Sequence, residues 1–163
     1  MHDQPLPHRW KAKKPLPKNF DWLFSGLIFL FFLLDIVLKR STESLLVPNQ
    51  PLTHNLLFDV LYFQNTGIAF GLPLPNVPAL IFSSLLICYF AYTFFQSLQT
   101  RQPLVRIASF SVLCGACSNL FDRITHGYVT DYLLLWSMSA INIADLLILF
   151  GIILFIRYHD AIN

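Results

Sequence analysis

Asp131 and Asp145 stand beside and inside strongly apolar sequence, in a chain that otherwise avoids charge. Asp145 closes the stretch Ala140-Ile-Asn-Ile-Ala-Asp145 and opens a run, 146–156, with the composition of a lipid-facing segment. Moving an ionised carboxylate towards the bilayer centre costs about 2.5–3.5 kcal/mol on insertion scales. A residue held against that cost is a candidate functional group, and Asp131 is the partner the sequence offers it. Two carboxyls that share a proton can activate water. The ionised member takes a proton from the water, and the protonated member donates to the carbonyl under attack. Such a pair titrates with two separated macroscopic pKa values, and the sequence leaves open which aspartate starts protonated. The pairing predicts an intramembrane aspartyl hydrolase.

Spans must carry these residues. The chain has 163 residues, 55% hydrophobic and 12% charged, well below the roughly 25% charged fraction of a soluble domain. The net charge of +2 is too small to argue for nucleic acid, and the charges are concentrated between apolar runs rather than spread as a basic patch. Apolar segments at 22–38, 77–95, 105–121 and 141–156 lie near the lower limit of the ~17–25 residues that cross a hydrocarbon core. The expected fold is an all-α membrane protein, a four-helix transmembrane bundle with a small β-containing outer (periplasmic) element. Strand-like residues at 58–63, inside the long 39–76 connection, suggest that element. Residues 1–21 read as a basic tail, 22–156 as one membrane domain and 157–163 as a second tail. The first 20 residues are polar and show no secretory cleavage pattern, so the first span reads as a retained anchor.

Lys and Arg predict the orientation. Arg9, Lys11, Lys13, Lys14, Lys18, Arg101, Arg106 and Arg157 fall on one side, and Lys39, Arg40 and Arg123 on the other. The positive-inside rule then places both termini in the cytoplasm, and the 39–76 and 122–140 segments outside. Trp22, Tyr132 and Tyr158 are candidate interfacial anchors.

The third segment is the least apolar. Ser111, Gly115, Ser118, Asn119 and Asp122 share one helical face, where small and polar residues allow close packing and interhelical hydrogen bonds. Asn142 lies one turn before Asp145 and is placed to orient it. Asp35 and Lys39 have i, i+4 spacing and predict an ion pair at the end of the first span. Arg123 can hold Asp122 or bind a lipid phosphate. Asn65 and Gly67 can present polar groups to an extended peptide, although a plain turn also explains Asn-X-Gly. His126 reads as a solvated loop residue, with His2, His8 and His159 in tails. No Ser-His-acid set is evident, and no His, Cys and carboxylate set has metal-ligand spacing.

Asn119-Leu-Phe-Asp-Arg123, Gly127-Tyr-Val-Thr-Asp131-Tyr132 and Asn142-Ile-Ala-Asp145, with Asn65-Thr-Gly-Ile-Ala-Phe-Gly71 upstream, resemble the bacterial lipoprotein signal peptidase (signal peptidase II) family. Asp35 and Lys39 stand where that family has an Asp and a Lys. The resemblance covers nearly the whole chain. It implies an inner-membrane aspartic endopeptidase that removes signal peptides from prolipoproteins, cutting before a diacylglyceryl-modified cysteine, and is inhibited by globomycin. Asp131 and Asp145 match the family's catalytic pair; Asn65, Asn119, Arg123 and Asn142 match residues that line or brace the site. The resemblance implies no metal or organic cofactor, and lipidated prolipoproteins and membrane lipids as partners.

The chain also departs from the family pattern. Ile36 and Leu38 replace a Gln and a Ser or Thr; Cys114-Gly-Ala-Cys-Ser118 has Cys and Ser at two usual glycines. Met138, Ser139 and Ile141 replace a Phe-Pro and a further Phe, and the 131–145 segment is several residues shorter. These changes motivate a second reading, a non-catalytic or weakly active paralogue that binds lipidated peptides. A third is a membrane thiol oxidoreductase using Cys114 and Cys117. Against it, only Cys88 remains as a further thiol, and the motif is mid-span rather than at a helix N-terminus.

Overall fold

The computed structural model describes residues 19–53, 55, 57–67, 75–136 and 138–159. Four helices, α1 (Phe20–Leu45), α2 (Asn76–Gln99), α3 (Pro103–His126) and α4 (Ile143–His159), alternate with three strands, β1 (Phe58–Asn65), β2 (Val129–Leu135) and β3 (Ser139–Ile141). Residues 1–18 of the basic tail, with His2 and His8, and the Ile68–Gly71 half of the upstream motif lie outside the described residues, and the rest of that tail opens α1.

The four expected spans are the four helices, most of them longer than hydropathy indicated. α1 has 26 residues, about 39 Å at 1.5 Å per residue. It therefore runs on past the apolar stretch and brings Glu43 to the sheet and Arg40 to the end of α3. α1, α2 and α3 are long and apolar enough to cross a membrane. α4 has 17 residues, roughly 25 Å, and begins one residue after β3. α3 starts with Pro103 at its first turn and ends at Gly127, whose φ of 82° is left-handed and whose N–H donates to the Arg123 carbonyl at 3.1 Å. Both terminal choices follow backbone chemistry: Pro lacks the unused N–H, and Gly accepts the left-handed cap.

α3 sits at the centre and packs against the other three helices. Its glycine and serine positions bring α4 close. A Cβ on Gly115 would collide with the Ala144 carbonyl, and one on Gly151 would lie 2.6 Å from the Ala108 carbonyl. Ser111 Oγ donates across the same seam to the Leu147 carbonyl at 2.7 Å. Thr93 and Ser109 hydroxyls pair α2 with α3 at 2.9 Å. These are the close approach and the interhelical bonds expected of a membrane bundle. Ile28, Ile107, Cys114 and Leu147 form its apolar centre.

In α1 the usual arrangement is inverted. Leu23, Leu27, Leu30, Leu34 and Val37 are exposed, whereas Asp21, Asp35, Lys39 and Thr42 are buried with Ile28. Asp21, Ile28, Asp35 and Thr42 recur every seven residues, which keeps one stripe turned to the bundle. The apolar residues are left for lipid.

The 122–140 segment, expected as a loop, is instead the end of α3 followed by a β2–β3 hairpin. The sheet is antiparallel in the order β1-β2-β3, with Asn65 opposite Val129, Phe63 opposite Asp131 and Leu133 opposite Ile141. Diagonal neighbours on one sheet face lie within side-chain reach, which carries Asn65 to Asp131.

Candidate active site

The site is built on the first turn of α4. Asp145 N–H donates to Asn142 Oδ1 at 2.8 Å, and Asn142 N–H returns to Asp145 Oδ2 at 3.4 Å. This is the reciprocal exchange of a capping box, with Asn and Asp in the roles of N-cap and N3. Ile143 N–H donates to Tyr132 Oη at 3.1 Å, and Ala144 N–H to Asp35 Oδ1 at 3.2 Å. Four backbone donors that a helix start leaves unpaired, those of Asn142, Ile143, Ala144 and Asp145, are thus taken up inside the bundle. Two of their acceptors, on Asp145 and Asp35, are carboxylates, the charge that a helix N-terminus favours.

Asp131 is fully buried at the middle of β2. Its Oδ2 accepts from Asn65 Nδ2 at 2.8 Å, and its Oδ1 from Asn142 Nδ2 at 2.7 Å. Burial, and then the charge of nearby Asp145, push its carboxyl up to about 8. Asp145 is half-buried and accepts from Asn119 Nδ2 at 2.8 Å. Asn142 touches both carboxylates, one through its amide and the other through its backbone N–H. Its expected role of orienting Asp145 is therefore only half of what it does.

The asparagine amides are not free to turn. Asn65 Oδ1 accepts from Gly67 N–H at 2.9 Å, an Asx turn that leaves Nδ2 for Asp131. Asn142 Oδ1 is held by Asp145 N–H, which leaves its Nδ2 for Asp131. In each case a group that can only donate fixes the carbonyl end of the amide.

Behind these residues lies a buried charged cluster. Lys39 Nζ contacts Asp35 at 3.1 Å, Asp122 at 2.9 Å, Ser118 Oγ at 3.0 Å and Asn119 Oδ1 at 2.9 Å. The expected Asp35–Lys39 pair is present, but as part of this larger set rather than as a surface pair. Asp122 pairs with Lys39, and Arg123 instead donates to the Gly67 carbonyl at 2.8 Å, clipping the Asn65–Gly67 turn onto α3.

One expectation is corrected: Tyr132 is not an interfacial anchor; it is 1% exposed and donates to Asp35 Oδ1 at 2.8 Å. Ser118 makes the interhelical bond expected of its face, its hydroxyl donating to Asp35 Oδ2 at 2.6 Å. Thr130 and Glu43 were not singled out by the sequence. Thr130 Oγ1 donates to Glu43 Oε1 at 2.7 Å, and the Thr130 carbonyl lies 3.4 Å from Asn142 Nδ2. His126 is half-buried, 3.2 Å from Arg40 and stacked on Tyr128. Cys88, Cys114 and Cys117 are free thiols; Cys114 is buried in the apolar centre and Cys117 is exposed. Among the described residues no group of three or more His, Cys, Asp and Glu side chains is placed to hold a metal ion.

Together these features define a polytopic membrane protein with two carboxyls bridged at one end of its bundle. The family model for signal peptidase (SPase) II matches residues 27–159. A lipoprotein signal peptidase of Moorella thermoacetica is 31% identical over 132 residues, 80% of this chain and 88% of that protein. One from Aquifex aeolicus is 33% identical over 144 residues, 83% and 84% of the two chains. A solved bacterial membrane enzyme, determined by the in meso method at 2.3 Å, superposes with a TM-score of 0.71 at 18% identity, covering 90% of this chain and 93% of that one. The chain belongs to the signal peptidase II family. It is an integral membrane protein of a protease family that processes lipoprotein precursors.

Proposed function

We propose that this protein is an aspartic endopeptidase that removes the signal peptide from diacylglyceryl-modified prolipoproteins, cutting before the lipidated cysteine, with Asp131 and Asp145 as its catalytic pair. The observation that carries the reading is Asn142, which contacts both carboxylates at the start of α4. Asp131 holds the proton at the outset, consistent with its full burial. Asp145 is ionised, half-exposed and supplied with donors by Asn119 and Asn142.

In the first step Asp145 takes a proton from water as the oxygen attacks the scissile carbonyl carbon. Asp131 donates its proton to the carbonyl oxygen. In the second step the C–N bond breaks and the amine leaves with the proton from Asp145. The hydroxyl formed on carbon returns its proton to Asp131 as the new carboxyl forms. Asn65, Asn119, Asn142 and Arg123, with Gly67, hold this frame; Asp35, Lys39 and Asp122 support it from behind. The site lies near the outer face of the bacterial inner membrane, with both termini cytoplasmic, a reading supported by the eight-to-three distribution of Lys and Arg.

The test is a gel-shift time course on a diacylglyceryl-modified prolipoprotein with purified protein in detergent, with and without globomycin, and mass spectrometry of the new N-terminus. Asp131→Asn and Asp145→Asn should each lower cleavage by about 10³-fold or more, since Asn can neither accept nor supply the proton. Cleavage within a few-fold of wild type by either variant would leave a binding protein as the better reading. Topology is tested separately. Reporter fusions at residues 50 and 100 should report opposite sides of the membrane, and matching signals would remove the assigned orientation.

A further inference from the structure

Lys39 does not reach the two aspartates directly, yet it controls a group that does. It is 2% exposed, and its ammonium lies among four acceptors: Asp35 on α1, and Asp122, Ser118 and Asn119 on α3. An ammonium donates and cannot accept. Asn119 must therefore turn its carbonyl oxygen to Lys39, where it also receives Asn142 Nδ2 at 3.2 Å. Its amino group is left facing Asp145 at 2.8 Å. Were the amide reversed, two donors would meet at Lys39 and two acceptors at Asp145.

We propose that Lys39 is a positioning residue of the reaction: by fixing the direction of the Asn119 amide it keeps Asp145 as the proton-accepting member of the pair. The inference rests on the catalytic reading of Asp131 and Asp145 given above. A donor on Oδ1 stabilises an ionised Asp145 more than a neutral one, whose carbonyl oxygen is the weaker acceptor. The direction of one buried amide thus favours Asp145 as base, against two amide donors on Asp131 that its full burial offsets. The other charged groups around this path are Asp131 on β2, Arg123 at the end of α3, and Asp35 and Asp122 already paired with Lys39. None of these fixes the Asn119 carbonyl end, because none but Lys39 donates to it beside Asn142.

The experiment measures kcat and KM against pH for Lys39→Met in detergent with the lipidated prolipoprotein. The expected result is a fall in kcat of about ten- to hundredfold, KM within about twofold, and an acid limb of kcat moved to higher pH. Lys39→Met leaves two carboxylates without their cation, a strongly destabilising change in a buried site. Where that variant fails to fold, Lys39→Met with Asp122→Asn removes one charge of each sign and is assayed instead. Asp122→Asn alone keeps Lys39 on Asn119 and should keep the acid limb of the wild type. An unmoved acid limb in the folded Lys39 variant, or the same displacement in Asp122→Asn alone, would overturn the inference. Asp145→Asn in the same assay separates the two failures: if it still cleaves, the catalytic reading is wrong, and if it is dead while the Lys39 variant keeps its limb, only the role of Lys39 is.

Discussion

The two ends of the bundle each bury an ion pair that ties α1 to α3, and they use it differently. At the end where α1 begins, Arg106 reaches Asp21 with one guanidinium nitrogen and the Ser97 carbonyl with another at 3.2 Å, and it lies over the Trp22 ring. Its Nε has no acceptor among the described residues. That pair is a clamp: three helices are joined, and nothing further depends on the direction of any bond. At the sheet end the charges of Asp35, Lys39 and Asp122 are shared with Ser118, Asn119 and Tyr132. The amides of Asn65, Asn119 and Asn142 there each have a fixed polarity. A clamp needs only opposite charges in reach, whereas a site that moves protons needs donors and acceptors in a set order.

The contrast is broken most directly by one variant at each end. Asn142→Ala should lower cleavage by about a hundredfold, because it removes the amide on Asp131 and the cap of α4 together, while membrane insertion persists. Asp21→Asn combined with Arg106→Met should keep cleavage within about threefold, since replacing both partners of a buried pair is often neutral. Initial rates and thermal unfolding in detergent check both. A large loss of activity in the Asp21 and Arg106 double variant would erase the distinction between clamp and site.

The sheet end should also carry a pH signature that the other end lacks. Folded Asp131 holds its proton up to about 8, whereas the unfolded chain releases it near 3.8. Between those values the folded state binds more protons, so stability must fall as pH rises. The contribution is fully present below pH 3.8 and is lost as pH rises through about 8. Asp131→Asn should flatten that decline. Melting temperatures of both proteins from pH 4 to pH 9 measure it, and parallel curves would show that Asp131 does not titrate out of register with the unfolded chain.

Much of the sheet end was legible in the sequence, and what was not has a physical reason. Carboxylates and amides in apolar sequence stand out by composition, so Asp131, Asp145, Asn119 and Asn142 were found without coordinates. Their connections were not. Lys39 meets Asn119 across 80 positions and Tyr132 meets Asp35 across 97, and no local spacing encodes such contacts. β2 was missed because Val129–Leu135 pairs with a strand more than 60 residues upstream, and an apolar run between two spans carries no alternation to mark it. The end of α1 was missed for the opposite reason: its last turns are polar, so hydropathy stops where the helix does not. The seven-residue recurrence of Asp21, Ile28, Asp35 and Thr42 was available as a signal that polar residues of α1 face inward.

The smallest expected effect tests whether polarity or mere position in α3 matters. Cys117 lies one residue before Ser118 and three after Cys114, but it is exposed, lining with Phe32, Ile36 and Phe121 a cavity that Ser118, Lys39 and Asp122 also line. Ser118 turns inward to Asp35 and Lys39. Neighbours in sequence therefore differ in burial and in partners. Cys117→Ala should leave cleavage within about twofold and melting within a few degrees, as surface substitutions do. Ser118→Ala should cost more, because it leaves buried Asp35 without its shortest donor. Alkylating the accessible thiols of the wild-type protein should match Cys117→Ala in a cleavage time course. If alkylation or Cys117→Ala abolished cleavage while Ser118→Ala did not, a thiol rather than the buried polar cluster would have to carry the reaction.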